Sequence, residues 1–237
     1  MDDPQLPRED HLQALAGLAR LNRFSGVASA MYRHLRPFGL AVGDRPLNVL
    51  DVASGSGDVP LSWVKRAERD GWALQLTMLD ISATAMAEQK RRAKAMGVEA
   101  LSLQQDCLGD GLPAGFDVVT CSLFMHHLDE HQVFRLLQSM QGASHHGILV
   151  CDLDRSPLNL MLVKIGSRLL SRSHVVHYDA ATSVRGAFTA SEFEQIAESA
   201  LARPVRVQRS FPCRFIATVA EEVVREPVAA LAWQGTS

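Results

Sequence analysis

The sequence predicts an α/β domain built on a doubly wound, mostly parallel sheet, and three features of the chain carry that expectation. From residue 47 to residue 153, apolar runs of strand length alternate with longer helix-forming stretches, the order expected when helices cross between parallel strands. The run Leu47, Val49, Leu50, Val52 has no polar face apart from Asn48, which suits a central strand covered by helices on both sides. Acids stand at or just beyond the carboxyl ends of the first three predicted strands, at Asp51, Asp80 and Asp106, on the edge where such sheets bind ligands.

Taken in order, residues 10–40 read as two helices broken at Ser25-Gly26. They carry Arg20, Arg23 and Arg33, which suit a solvated face and are also within reach of a ligand carboxylate. The strand Leu47–Val52 runs into Ala53, Ser54, Gly55, Ser56 and Gly57, side chains small enough for a ligand to lie against the backbone. Asp58 is the expected N-cap of the next helix, with Pro60 in its first turn, where a missing N–H costs little. A second strand over 73–79 ends in Asp80; the helix-forming stretch from Ser82 to Met96 stops at Gly97. A third strand, 100–104, precedes Asp106 and Cys107, and a glycine-rich loop leads to the fourth, Phe116–Ser122. After LFMHHLDE come a helix over 130–141 and a fifth strand over 148–153.

Ser156-Pro157 opens an amphipathic helix, apolar on one side and carrying Lys164, Arg168 and Arg172 on the other, followed by a polar loop through Gly186. Thr189 to Glu192 has capping-box spacing before a helix ending at Leu201, and the runs 205–210 and 214–219 suit a hairpin at the sheet edge. This gives seven strands with an antiparallel edge, a helical cap over 1–45, a core domain over 46–220 with a lid insertion over 155–188, and a tail over 221–237.

The 237 residues, 47% of them hydrophobic, are enough for one substantial core. Lys+Arg of 24 against Asp+Glu of 26 leaves a net charge of −2, so no global basic field exists to hold nucleic acid or an anionic membrane. Four scattered cysteines, Cys107, Cys121, Cys151 and Cys213, form no CxxC pair and read as reduced, buried thiols. The acidic, Pro-rich start is unlike a signal peptide, and no apolar run approaches the roughly 20 residues of a membrane span, so a cytoplasmic protein is expected.

An acid after the second strand can accept two hydrogen bonds from a ribose diol, and one after the third can accept a bond from an adenine amine. With the glycine turn they describe an adenosine site. At this point the chain resembles the class I S-adenosylmethionine-dependent methyltransferases from Leu47 to about Leu153. DVASGSGD corresponds to their D-x-G-x-G-x-G turn and is most similar to the D-x-A-x-G-x-G-D form of the ubiquinone and menaquinone methyltransferases. FDVVTCSLFMHHLDE and GILVCDLD resemble the family's fourth and fifth strands. The resemblance implies a Rossmann-like fold and a site for S-adenosylmethionine, with S-adenosylhomocysteine as product. It draws that site from Asp51, Ala53, Ser54, Gly55, Gly57, Asp80, Ile81, Asp106, Cys107 and Ser122, with Gly55 and Gly57 against the methionine part, Asp80 on the ribose, and Asp106 and Cys107 bordering the adenine. Ala53 with Ser54 departs from the commoner Gly and small residue, and reads as a subgroup mark.

A nicotinamide dinucleotide site is the alternative, but Pro60 stands where its fingerprint wants a third glycine. A cofactor binder without catalysis is a third reading. Methyl transfer is an in-line displacement, so an acceptor must be held beside the methyl carbon, and a phenolic hydroxyl gains from a base. His126 and His127 follow the fourth strand, and a histidine with an ordinary pKa of about 6.5 can take that proton. Asp152, His174, His177, Tyr178 and Arg185 are candidates to line the acceptor pocket. No compact metal motif occurs and sulfonium chemistry needs no metal, so none is expected. The expected acceptor is a small aromatic, polyketide or quinone-like molecule that could carry a lipid tail, methylated on oxygen or ring carbon. A nucleic-acid substrate is disfavoured, and a homodimer is left open.

Overall fold

The computed structural model describes residues 25–109, 111–170 and 182–220, together with residues 13, 15, 17, 19, 20 and 22. The elements in chain order are α1 (Val27–Ala41), β1 (Leu47–Val52), α2 (Asp58–Arg69), β2 (Leu74–Asp80), α3 (Ala83–Met96), β3 (Ala100–Gln104), β4 (Phe116–Ser122), a 3-10 turn (Met125–His127), α4 (Glu130–Ala143), β5 (Ser144–Leu153), α5 (Pro157–Leu170), α6 (Ala190–Leu201), β6 (Arg206–Ser210) and β7 (Arg214–Ala220). The seven strands lie in the order β3-β2-β1-β4-β5-β7-β6. β1 to β5 pair in parallel, and the β6–β7 hairpin closes one side with β7 antiparallel to both its neighbours. The order reverses between β1 and β4, the switch point at whose carboxyl-terminal edge sheets of this kind bind ligands.

Alternation along β1 explains why its sequence is apolar throughout. Leu47 and Val49 enter the core formed with α1 and α2, among Val27, Met31, Leu35, Leu61 and Trp63. Leu50 and Val52 enter the opposite core, which holds Val133, Leu137 and Met140 of α4 and Phe193 and Ala197 of α6. None of the four β1 side chains is exposed, and each such burial is worth about 1.5–3 kcal/mol. Helix α1 completes its face of the core: Trp63 Nε1 donates to the Ala28 carbonyl at 3.0 Å, tying α2 to it.

Several boundaries differ from the sequence reading for definite reasons. The N-cap of α2 is Gly57, at φ +72, and Asp58 is the first helical residue rather than the cap. Its carboxylate accepts from Ser56 Oγ at 2.9 Å and from Asn22 Nδ2 at 3.1 Å. β5 begins at Ser144, earlier than the expected 148, because the end of α4 passes directly into the strand. The loop expected through Gly186 instead has a helical turn over residues 182–186. The capping box at Thr189 and Glu192 is present, and Gly97 ends α3 at φ +59. Among the described residues, no helix is long and apolar enough to cross a membrane.

Candidate active site

The turn after β1 is held from the β2 side. Ser54 N donates to the Leu79 carbonyl at 3.0 Å. Gly55 N donates to Asp80 Oδ2 at 2.8 Å, while Asp80 Oδ1 accepts from Ser82 N at 2.9 Å. Ala53 and Gly55 both take left-handed backbone, at φ +53 each, a conformation that favours glycine and that alanine adopts with some strain. A Cβ on Gly55 would meet nothing within 4 Å, so this peptide faces open space, as a ligand cradle requires. Gly57 differs: a Cβ there would lie 2.7 Å from Met78 Sδ and 3.2 Å from Leu61. At Gly57 the space a side chain would need is taken by the protein interior, so glycine is required there.

Asp51 is wholly buried at the end of β1. Its Oδ1 accepts from Thr120 Oγ1 at 2.6 Å, while its Oδ2 is buried without a hydrogen-bond partner among the described residues. Burial pushes its carboxyl up to about 7, against the opposing hydrogen bonds of Thr120 and Ser54 and with the charges of Asp58 and Asp80 adding to the rise. An orphaned carboxylate oxygen beside the turn fits a cationic group such as an ammonium. Ile81, 63% exposed, offers an apolar surface beside Asp80. Asp106 is exposed, accepting from Leu108 N at 2.9 Å, and Cys107 is buried beside it with a thiol pushed up to about 12, chiefly by burial. Ser122 ends β4 half-buried. These residues suit a cationic amino acid joined to a nucleoside.

At the neighbouring strand ends the two histidines separate. His126 is buried and His127 exposed, their rings 4.2 Å apart. Asp152, expected to line the acceptor pocket, is buried at the end of β5 with its Oδ1 2.6 Å from His126 Nδ1. It also accepts from Leu153 N at 2.6 Å and from His126 N at 3.3 Å. Burial alone would raise the Asp152 carboxyl, but the charge and hydrogen bond of His126, with Leu153 N, hold it below its ordinary value. An ionised Asp152 fixes the His126 tautomer with the proton on Nδ1, leaving Nε2 as the basic nitrogen. The helical turn over 182–186 packs here, since a Cβ on Gly186 would lie 2.9 Å from the His126 carbonyl. Arg185 on that turn is exposed; His174, His177 and Tyr178 lie outside the described residues.

The sequence reading missed two buried polar residues at this edge. Gln89 of α3 is wholly buried and donates from Nε2 to the Gly55 carbonyl at 2.9 Å. Arg214 opens β7 opposite Leu153, also buried, and donates to Ser25 Oγ at 3.1 Å and to the Ser25 carbonyl. The signals existed: Gln89 lies midway in the buried stripe Ala85, Gln89, Ala93, and Arg214 heads an otherwise apolar strand. No group of three or more His, Cys, Asp or Glu able to hold a metal occurs among the described residues.

The methyltransferase domain family matches residues 49–147. A demethylmenaquinone methyltransferase of Thermus thermophilus is 28% identical over 113 residues, which is 47% of this chain and 50% of the relative. The chain thus spans about half the length of the curated relative it matches. Among solved structures, a plantazolicin methyltransferase in complex with S-adenosylhomocysteine superimposes with a TM-score of 0.65 at 17% identity, over 93% of this chain and 91% of the other. Human N-acetylserotonin methyltransferase in complex with S-adenosylmethionine superimposes with a TM-score of 0.64 at 16% identity, over 91% and 56%. Both likenesses are of fold.

Proposed function

We propose that this chain, whose residues 49–147 match the methyltransferase domain family, is a class I methyltransferase that uses S-adenosylmethionine to methylate a hydroxyl, or a ring carbon beside one, on a small aromatic, polyketide or quinone-like acceptor. The carrying observation is the buried His126–Asp152 pair at 2.6 Å, on the same sheet edge as the Asp51, Gly55 and Asp80 cradle. When bound, S-adenosylmethionine supplies a methyl group activated by a sulfonium.

The chain's own residues do the rest. Gly55 leaves room for the ligand, Asp51 Oδ2 accepts from its ammonium, and Asp80, oriented by Gly55 N and Ser82 N, accepts from the ribose hydroxyls. Ile81 and Cys107 border the base, with Asp106 accepting from its amine. His126 Nε2 takes the acceptor's hydroxyl proton, and Asp152 stabilises the imidazolium that results, as a carboxylate oriented on Nδ1 does in other general-base pairs. The turn at 182–186 packs against the His126 backbone carbonyl. The relatives named for demethylmenaquinone and N-acetylserotonin support a small cyclic acceptor. We place the protein in the cytoplasm, acting without a nucleic-acid partner.

Two measurements test this reading. Calorimetry is expected to detect binding of S-adenosylhomocysteine; absence of binding by it and by S-adenosylmethionine overturns the cofactor assignment. In a methylation screen against phenolic acceptors, His126→Ala is expected to lose about 10²-fold or more in rate, and His127→Ala far less. Full activity in His126→Ala overturns the base assignment.

A further inference from the structure

Both polar groups of the Gly55 backbone are held by side chains from one structural unit. Asp80, at the end of β2, accepts the Gly55 N–H at 2.8 Å, and Gln89, on the helix that follows, donates to the Gly55 carbonyl at 2.9 Å. Gln89 also underlies the rest of the turn, since its Cγ lies 3.3 Å from where a Cβ on Gly57 would sit. The fit has a cost: Gln89 Oε1 is buried without a hydrogen-bond partner among the described residues. A buried acceptor left unmade is unfavourable, and an apolar side chain of similar size would avoid that cost.

We propose that Gln89 is a positioning residue of the cofactor site, which with Asp80 clamps the Gly55 peptide in the left-handed conformation that faces the ligand. This inference rests on the S-adenosylmethionine reading above. Asp80 grips the ribose and the Gly55 N–H with the same carboxylate, so the clamp places the amino-acid end of the site in register with the nucleoside end. Gln89 touches neither end of the ligand. Its loss loosens the turn and weakens ligands that extend over Gly55, while those confined to the nucleoside pocket are little affected.

Gln89→Met keeps the volume and removes both the donor and the orphaned oxygen. Its thermal midpoint is expected to equal or exceed that of the parent protein. S-adenosylhomocysteine should bind roughly 3- to 10-fold more weakly, the range of one hydrogen bond. 5′-Methylthioadenosine, which lacks the amino acid, should bind as before. Gln89→Glu preserves the shape but offers no donor when ionised, so its affinity for S-adenosylhomocysteine relative to the parent's should fall as pH rises. Hydrogen exchange at residues 53–57 of the ligand-free protein should quicken in both variants. Unchanged exchange, unchanged S-adenosylhomocysteine affinity, or equal weakening of the two ligands overturns the clamp. If the parent protein binds neither ligand yet exchange still quickens, the clamp stands and the cofactor assignment falls.

Discussion

The two halves of the proposed site, one assigned to the cofactor and one to the acceptor, are built by different means. The cofactor half comes from a continuous piece of chain between Asp51 and Gln89, and its surface is largely backbone: a turn with left-handed residues at Ala53, Gly55 and Gly57, pinned by hydrogen bonds from Gly55 to Asp80 and Gln89. The acceptor half is made of side chains brought together across strands. His126 follows β4 and Asp152 ends β5, while Gly186 and Arg214 arrive from still farther along the chain. Local backbone geometry tolerates little substitution and fits one ligand shape. Side chains carried on an insertion and on strand ends can change individually, so one donor can serve many acceptors.

The sharpest way to break this comparison is Asp152→Asn. The substitution keeps the shape but removes the charge that fixes the His126 tautomer and stabilises its protonated ring. Turnover is expected to drop by about 10²-fold or more, with the affinity for S-adenosylhomocysteine within about 2-fold of the parent. A matching loss of cofactor affinity would mean that the halves are not independent.

Gly57→Ala probes the other half through stability. Its Cβ would sit 2.7 Å from Met78 Sδ, on backbone at φ +72. Overpacking and left-handed strain together are expected to destabilise the protein by about 2–4 kcal/mol in denaturant titrations. Gly55→Ala meets no atom and should cost only the strain of about 1–2 kcal/mol, while weakening cofactor binding more than Gly57→Ala does. The reverse ranking would show that Gly57, not Gly55, faces the ligand.

The same contrast governs what the sequence made legible. The alternation of strands and helices and the placing of Asp51, Gly55 and Asp80 at one edge of the sheet could be read because hydrophobic period, glycine and strand-end acids are local marks. Gln89 was hidden within AMAEQKRRAKAM, where helix-forming residues mark the helix but not which glutamine turns inward. The split between His126 and His127 depends on the single 3-10 turn that carries them, and the partnership of His126 with Asp152 on the pairing of β4 with β5. Arg214 meets Ser25 only because β7 inserts between β5 and β6. Such pairings are properties of topology, and neighbouring residues carry no trace of them.

Asp51 gives a pH test confined to the cofactor half. Its folded carboxyl lies at about 7, above the roughly 3.9 of an unfolded chain. The folded protein therefore holds the extra proton between these values. The stability this supplies is complete below the lower value and is lost as pH rises to the upper one. Asp51→Asn is expected to flatten the fall between about pH 4 and 7 in chemical denaturation. Pairing with an ammonium needs the ionised form, so parent affinity for S-adenosylhomocysteine should rise with pH through the same upper value, and the variant's should not.

The smallest expected effect lies at the far edge of the acceptor half. Thr189 caps α6, its Oγ1 accepting from Glu192 N at 3.2 Å while Glu192 Oε2 accepts from Thr189 N at 2.8 Å. Arg155, just past β5, joins this cap through Glu192 at 2.5 Å and through its own N–H to the Phe188 carbonyl at 3.1 Å. The cap thus anchors the segment that returns from His126 to the sheet. Thr189→Ala is expected to cost about 1 kcal/mol of stability in thermal or denaturant unfolding. Because the cap sits behind the turn over 182–186, the substitution should also raise the acceptor KM modestly while leaving S-adenosylhomocysteine affinity unchanged. Equal shifts for both ligands would indicate a general loosening of the fold; a shift for the acceptor alone ties this segment to the half of the proposed site built from distant side chains.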